Sequence, residues 1–496
     1  MICPVICAET PEALLAEHCR LVVEGAQLVE WRLDCIQGSI DLPALLRERP
    51  GPIIVTIRLP HDGGKWQGDE SQRRELLSQA IEAGAEYVDL EPEAAEAIPR
   101  RRPTRRIVSM HDFLGTPDDL TAIQRRLESY DADIVKLATM ARSTHDAFRM
   151  LELVARSGQT VGLCMGELGT PTRLLAMRWG APFSYAAPDD SKPPAPGQLS
   201  VRTMRDLYHA EEITAETNIY GVIGDPIGHS KSPLIHNAAL RHLGLNAVYV
   251  PFRVPPADLL SFLDDIRRLN DSQNFRLRGL SVTIPHKEGI LARITDPDEA
   301  VREIGAANTM VFDGAKVYGY NTDRWAAIDS LAVATGQGRG ASPRFDGLAA
   351  LVLGAGGAAK AIAHGLQRCG AKVTITGRTR ARAEEVASPL GCGVADWDDR
   401  HQIAADVLVN CTPLGMSPHV DATPIEPASL RSEMIVFDTV YNPEITQLLA
   451  DARERGCRIV TGVEMFIRQA ARQFELFTGH EAPVDVMRNA LSGKLC

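Results

Sequence analysis

Asp131–Thr139 reads "DADIVKLAT". Ile134, Val135 and Leu137 mark it as a short buried strand, and Lys136 stands in its middle. Burying a strongly hydrated ammonium is costly unless the charge finds a partner. A lysine at a strand end with its head in water would need no special explanation, so the neighbouring strands decide the matter.

Across the first 206 residues, short apolar runs alternate with helix-like stretches. The runs at 2–7, 27–33, 53–58, 86–91, 106–111, 133–138, 160–165 and 182–186 predict eight strands with helical connections. That pattern is a (β/α)8 TIM barrel near its lower size limit. Barrel chemistry collects at the C-terminal ends of the strands. "LVEWRLD" supplies Glu30 and Arg32 there, "IIVTIR" Arg58, "YVDLE" Glu91, "IVSMHD" His111 and "DIVKLAT" Lys136. Each such group must be desolvated and paired, so a convergence of this kind points to an active site.

The chemistry follows from the residue types. Cationic neighbours at Arg32 and Arg58 favour the neutral, nucleophilic form of a buried lysine. A neutral amine attacks a ketone and forms a Schiff base. The iminium acidifies the adjacent C–H bonds, and His111 is suited to move those protons. Glu91 is expected to orient the imidazole or hold its charge. The arginines can grip a carboxylate through paired hydrogen bonds. The implied substrate is a small keto-acid.

"EWRLD", "SMHDF", "DIVKLAT" and "APGQ" also resemble the type I 3-dehydroquinate dehydratases, in that family's order. The resemblance implies Lys136 as the imine lysine and His111 as the general acid/base. It further implies Glu30, Arg32, Arg58, Arg173 and Gln198 as substrate contacts, with Met165 as an apolar residue beside the site. Pro194 stands where the family often has Ser before "APGQ".

Bulk properties narrow the class. A chain of 496 residues has room for several domains. A formal charge of −11 argues against nucleic acid or an anionic membrane as a partner. "MICPVICAET" has no signal-peptide pattern, and no apolar run reaches the roughly 18–20 residues of a membrane helix. The ten cysteines contain no CxxC pair and read as buried free thiols of a reducing cytoplasm. No metal site is expected, since no His, Cys or carboxylate cluster has ligand spacing.

In the second half, "LVLGAGGAAKAIAHGL" followed by "KVTITGRTR" is a strand, a glycine turn, a helix and another strand. Gly354, Gly356 and Gly357 would let the backbone approach a pyrophosphate at the helix N-terminus, with Ala355 and Ala358 in the same turn. Arg378 stands where an acidic residue would read a ribose diol. "HSKSP", "TIPHK" and "NTD" are each unremarkable alone. Together with "IGAANTM", "YGYNTD" and "VNCTPLGM" they resemble the shikimate dehydrogenases. That resemblance implies Lys287 and Asp323 as the catalytic pair. It implies Ser230, Ser232, Thr283, Asn308, Asn321, Tyr441 and Gln469 as substrate contacts. Thr412, Gly462 and Met465 would border the nicotinamide, and Arg378 with Thr379 would meet the 2′-phosphate of NADP. Two departures are Ser281 for the Asn of "NVTxPHK" and Gly377 for the Asn of "NRT".

The expected architecture is α/β: a barrel at 1–206, a linker at 207–218, a substrate-binding domain at 219–322 and a Rossmann NADP domain at 323–455. Helices at 456–496 would return to the substrate-binding domain, completing a two-lobed dehydrogenase-like unit. The two halves fit one stretch of the shikimate pathway. The first would dehydrate 3-dehydroquinate to 3-dehydroshikimate, and the second would reduce that product to shikimate with NADPH. This is the arrangement of the fused dehydratase–dehydrogenases. The expected enzyme is cytoplasmic, a monomer or homodimer, with small-molecule substrates only. A quinate/shikimate dehydrogenase fusion is the alternative. A non-catalytic quinate-pathway sensor would be expected to lack Lys136, His111, Lys287 or Asp323.

Overall fold

A computed structural model describes residues 1–191, 195–273, 275–337 and 343–493. The chain forms two compact units. One comprises Met1–Pro233 with Gly244–Leu277, the other Leu234–Leu243 with Arg278–Cys496.

In the first unit, eight strands form a nearly closed parallel barrel. They are β1 (Ile2–Ile6), β2 (Val29–Arg32), β3 (Ile53–Thr56), β4 (Tyr87–Leu90), β5 (Arg105–Asp112), β6 (Ile134–Met140), β7 (Thr160–Met165) and β8 (Ser184–Ala186). The hydrogen-bonded order is β7-β6-β5-β4-β3-β2-β1-β8. Val5, Leu28, Ile54, Ile107, Ile134, Val161, Leu163 and Phe183 fill the interior. Each such side chain contributes about 1.5–3 kcal/mol on burial. The helices pack outside. In Thr144–Arg156, Ser143 caps the first turn in a capping box with Asp146, and Ala147, Phe148, Leu151 and Val154 are buried.

This unit also contains β9 (Asn218–Gly224) and β10 (Ala247–Arg253), paired in parallel. They join the barrel through apolar and ionic contacts. Phe148 packs against Phe252, Phe262 and Phe275, and Trp179 stacks on Phe275. Arg253 bridges Glu167 at 3.2 Å and Asp225 at 2.8 Å, and His145 meets Asp265 at 2.6 Å.

In the second unit, β11 (Leu277–Val282) pairs antiparallel with β13 (Thr309–Asp313), and β13 with β14 (Lys316–Tyr320). The short β12 (Asp296–Pro297) runs parallel beside β14. A second sheet holds β15 (Ala349–Leu353), β16 (Lys372–Thr376), β17 (Gly393–Ala395), β18 (Val407–Asn410), β19 (Ile435–Asp438) and β20 (Arg458–Val460). Its order, β17-β16-β15-β18-β19-β20, is all parallel and reverses direction between β15 and β18. That is the doubly wound dinucleotide-binding topology, with its switch point at the C-terminal end of β15. The helix Gly462–Thr478 returns across β11. The Phe477 ring occupies the space that a Cβ on Gly279 would need, and Ser281 Oγ donates to Gln473 at 2.6 Å.

The expectation that all cysteines are free thiols is corrected. Cys7 and Cys35 are joined in a disulfide with a Cα–Cα separation of 5.4 Å. Val5 pairs with Glu30 between β1 and β2, so the segments leaving both strands emerge side by side. A spacing of 28 residues hides that proximity. Pro194 lies outside the described residues.

Candidate active sites

At the C-terminal mouth of the barrel, one cavity is lined by Glu30, Arg32, Arg58, His111, Lys136, Met165, Arg173 and Gln198. β6 carries Lys136 inward, and the lysine is 5 % exposed. Its Nζ lies 2.8 Å from Asp89 Oδ2 and 3.4 Å from Glu30 Oε1, and 4.2 Å from the centre of the Tyr185 ring. The expected crowd of cations around the lysine is therefore corrected to a mixed net. Two carboxylates hold the ammonium, and releasing a neutral amine requires moving a proton.

Asp89 organises that net. It accepts from Arg58 and Lys136, each at 2.8 Å, and from the Ser109 hydroxyl at 2.5 Å. Burial alone would raise its carboxyl, but Arg58 and Lys136 outweigh burial and hold it below the usual carboxylate range. The sequence held a signal for it. Strand alternation places Asp89 on the same face as Glu91.

Glu91 does not take the role expected for it. Its carboxylate lies between Arg73 at 2.7 Å and Arg58 at 3.5 Å, and it does not line the cavity. The carboxylate beside the imidazole is that of Asp62, 3.4 Å from His111 Nδ1. The chain turns back after β3 to put it there. Gly63 takes a left-handed φ of 78°, and Gly64 lies so close to the Arg58 carbonyl that a Cβ would overlap it. Both positions require glycine. Burial and the adjacent Arg58 push the His111 imidazole down to about 4, while Asp62 acts in the opposite direction. His111 is thus a neutral base at pH 7.

The arginines differ in their partners. Arg32 is held bidentately by Asp34 at 2.7 and 2.8 Å, and Arg58 is engaged by Asp89, Glu91 and Asp62. Arg173 is 1 % exposed and has no carboxylate partner among the described residues. Among the described residues it donates to the Pro196 carbonyl alone, at 3.2 Å, its Nε has no partner there, and burial pushes it down to about 10. A buried cation without a counter-charge, facing a cavity, is a receptor for an anion.

The second unit joins Lys287 and Asp323. Lys287 Nζ is 2.5 Å from Asp323 Oδ2. Lys287 follows β11, and Asp323 lies in the first turn of the helix Thr322–Ala334, where the helix dipole favours a carboxylate. Asn321 caps that helix and donates to the Ala306 carbonyl at 3.0 Å. Asn308 is buried. Its carbonyl accepts from Thr309 and Thr322, and one amide hydrogen goes to Thr322. Thr283 is half-buried after β11, Tyr441 stacks on Phe466 at 4.6 Å, and Gln469 donates to the Phe466 carbonyl. In the first unit, Ser230 accepts from the Ser232 backbone N–H, and Ser232 opens the helix Ser232–His242.

Next to Lys287 is the glycine turn. Gly354 has φ 114°, and a Cβ there would press on the Cys411 carbonyl at 2.9 Å. Gly356 is the N-cap of the helix Gly357–Arg368, no side chain caps that helix, and open space lies where its Cβ would be. Gly357 and the half-buried Ala355 and Ala358 complete the turn. Uncapped N–H groups beside open space suit a pyrophosphate, so these residues fit a dinucleotide. Arg378 and Thr379 are exposed at the end of β16. The Thr412 hydroxyl donates to Asn410 at 2.7 Å, Met465 is buried, and Gly462 sits where any Cβ would overlap the Val440 carbonyl. Among the described residues, no group of three or more His, Cys, Asp or Glu could hold a metal ion, and no helix is long and apolar enough to cross a membrane.

Comparisons with known proteins cover both halves of the chain. The family described as Type I 3-dehydroquinase matches residues 2–215, and the Shikimate dehydrogenase substrate binding domain matches 222–310. The Shikimate 5'-dehydrogenase C-terminal domain matches 462–491, and a family described as NADP oxidoreductase, coenzyme F420-dependent, matches 350–440. A shikimate dehydrogenase (NADP+) of Symbiobacterium thermophilum is 42 % identical over 55 % of this chain and 92 % of its own length. A crystal structure of a shikimate dehydrogenase in complex with NADP+ aligns with a TM-score of 0.52 and 34 % identity, covering 57 % of this chain and 97 % of that one. A bifunctional 3-dehydroquinate dehydratase/shikimate dehydrogenase of Arabidopsis thaliana, named as chloroplastic, is 38 % identical over 99 % of this chain and 84 % of its own length. With the lysine-centred barrel and the Lys287–Asp323 pair in one polypeptide, the chain belongs to the family of bifunctional 3-dehydroquinate dehydratase/shikimate dehydrogenases.

Proposed function

We propose that the barrel dehydrates 3-dehydroquinate to 3-dehydroshikimate through an imine on Lys136, and that the second half reduces this product to shikimate with NADPH. The observation that carries the reading is the buried Lys136 held by Asp89 and Glu30 in one cavity with His111 and with Arg173, which has no carboxylate partner among the described residues.

The substrate carboxylate docks on Arg173, with Gln198 beside it and Met165 packing against the ring. Glu30, Arg32 and Arg58 meet its hydroxyls. Lys136 passes a proton to the surrounding net and attacks the ketone. The carbinolamine loses water to give the iminium. His111 removes the proton next to the iminium carbon and returns it to the departing hydroxyl, which leaves as water. Hydrolysis of the iminium frees Lys136. Asp62 aligns His111 and stabilises it while it holds the proton.

In the second half, bound NADPH would be the source of the hydride that the carbonyl carbon receives. Lys287 gives its proton to the carbonyl oxygen, and Asp323 keeps the ammonium charged and aligned. Ser230, Ser232, Thr283, Asn308, Asn321, Tyr441 and Gln469 bind the carboxylate and hydroxyls. Gly354, Gly356 and Gly357 would cradle the pyrophosphate. Thr412, Gly462 and Met465 would border the nicotinamide, and Arg378 with Thr379 would meet the 2′-phosphate. Net charge −11 supports an enzyme of small molecules without a nucleic-acid partner.

Borohydride added with 3-dehydroshikimate should leave a stable adduct on the peptide containing Lys136. An unmodified enzyme that keeps its dehydratase activity would exclude the imine.

A further inference from the structure

Glu288 directly follows the catalytic lysine of the dehydrogenase, yet its side chain takes no part in the proton transfer described above. Its Oε1 accepts from Lys360 Nζ at 2.6 Å and from Arg382 Nη2 at 3.0 Å. Both cations belong to the cofactor half of the unit. Lys360 is in the first turn of the helix that opens at the glycine turn, and Arg382 is in the first turn of the helix Arg380–Leu390. The Arg382 backbone N–H donates to the Thr379 carbonyl at 3.1 Å. Arg382 is therefore anchored to the segment Gly377-Arg378-Thr379 that ends β16.

The arginines of this segment are committed differently. Arg380 is tied to Glu384 and Asp396, each at 2.8 Å, both within its own half. Arg378 is exposed and has no carboxylate partner among the described residues. Arg382 divides its guanidinium between Glu385 at 2.6 Å, on its own helix, and Glu288. One carboxylate thus occupies a guanidinium beside the proposed 2′-phosphate position. A phosphate and a carboxylate compete for the same planar donors. Lys360 and Arg382 outweigh the effect of burial and keep Glu288 below the usual carboxylate range, so the competitor is charged at neutral pH.

We propose that Glu288 is a specificity-determining residue that competes with the 2′-phosphate of NADP for Arg382 and so limits the preference for NADP over NAD. The proposal rests on the placement of that phosphate at Arg378 and Thr379. When the phosphate takes Arg382, Glu288 keeps Lys360 as its partner. The ordinary alternative is a tie that merely holds the Lys287 turn against the cofactor helix. A tie affects both cofactors equally, whereas competition affects only the one with a phosphate.

The experiment is titration calorimetry of the full-length enzyme with NADP+ and NAD+, for the native protein, Glu288→Gln, Arg382→Met and the double variant. Side chains at 45 % and 37 % exposure set a modest scale. Glu288→Gln should tighten NADP+ roughly two- to fivefold and leave NAD+ unchanged. In the Arg382→Met background, Glu288→Gln should no longer act on NADP+, since the group competed for is gone. Unchanged NAD+ binding also reports an intact fold. Weaker or unaltered NADP+ binding in Glu288→Gln, an equal change for both cofactors, or an effect that persists without Arg382 would overturn the proposal alone. Native enzyme that binds NAD+ as tightly as NADP+ would overturn the phosphate reading, and this proposal with it.

Discussion

The barrel mouth and the dehydrogenase pair hold their lysines in opposite ways, Lys136 buried and Lys287 half-buried. Lys136 sits in a net that includes Asp89, Glu30, Arg58 and the neighbouring His111, Glu91 and Asp62. Among the described residues, Lys287 has a single carboxylate partner, Asp323. The difference follows from what each lysine must do. Lys136 is the proposed nucleophile and must lose its proton, form a bond and regain a proton, so charge has to move among several groups without leaving an ion unpaired. In the proposed reduction Lys287 only holds and delivers one proton, because the hydride arrives with the cofactor. On the proposed roles, the covalent site is built as a network and the hydride-transfer site as a pair.

That contrast can be broken first at the pair. Asp323→Asn should lower shikimate oxidation by about 10²–10⁴-fold and leave dehydration of 3-dehydroquinate unchanged, since the two sites share no residue. Steady-state rates of both reactions on one preparation decide it. A loss of both, with the fold intact, would show that the sites are not independent.

At the network, Asp62 and Glu91 should separate by what they touch. Asp62→Asn removes the group that supports a charged His111, so dehydration should fall by about 10–100-fold with little change in stability. Glu91→Gln breaks a buried pair with Arg73 and should cost about 3–5 kcal/mol of folding stability. Equal losses of rate without loss of stability in both variants would return Glu91 to the imidazole.

Arg378→Ala removes a charge-assisted contact worth roughly 1.5–3 kcal/mol, so kcat/KM for NADP should drop by about 10–100-fold while that for NAD changes little. An equal drop would mean that the arginine holds the loop and does not meet the phosphate.

The smallest effect is on pH dependence. His111 is held at about 4, below its ordinary 6.5. The acid limb of kcat/KM for dehydration should therefore lie well below pH 6.5. The sign for stability is the same. Between pH 6.5 and about 4 the unfolded chain takes up a proton on this residue and the folded chain does not, so stability falls as pH falls through that window. An acid limb at pH 6.5 would contradict the burial and the influence of Arg58.

Much of this was legible in the chain. The barrel strands announced themselves as apolar runs with ionisable residues at their ends, and the glycine turn lay between strand and helix. Asp62 was not legible, because it lies in a loop whose path depends on Gly63 and Gly64. Asp89 was overlooked in favour of Glu91, two residues further on the same strand face. The Cys7–Cys35 bond depends on parallel strands whose ends emerge together, and the contact of Glu288 with Arg382 spans 94 residues. Periodicity reports on neighbours along an element. Contacts set by loop paths and by the meeting of distant elements need the fold.

The central claim, two chemically separate sites in one chain, is tested most directly by following NADPH consumption in Lys136→Ala. With 3-dehydroshikimate as substrate the variant should consume NADPH at the native rate, and with 3-dehydroquinate it should consume essentially none. Native-like consumption with 3-dehydroquinate, or loss of activity on 3-dehydroshikimate in a folded protein, would contradict the account.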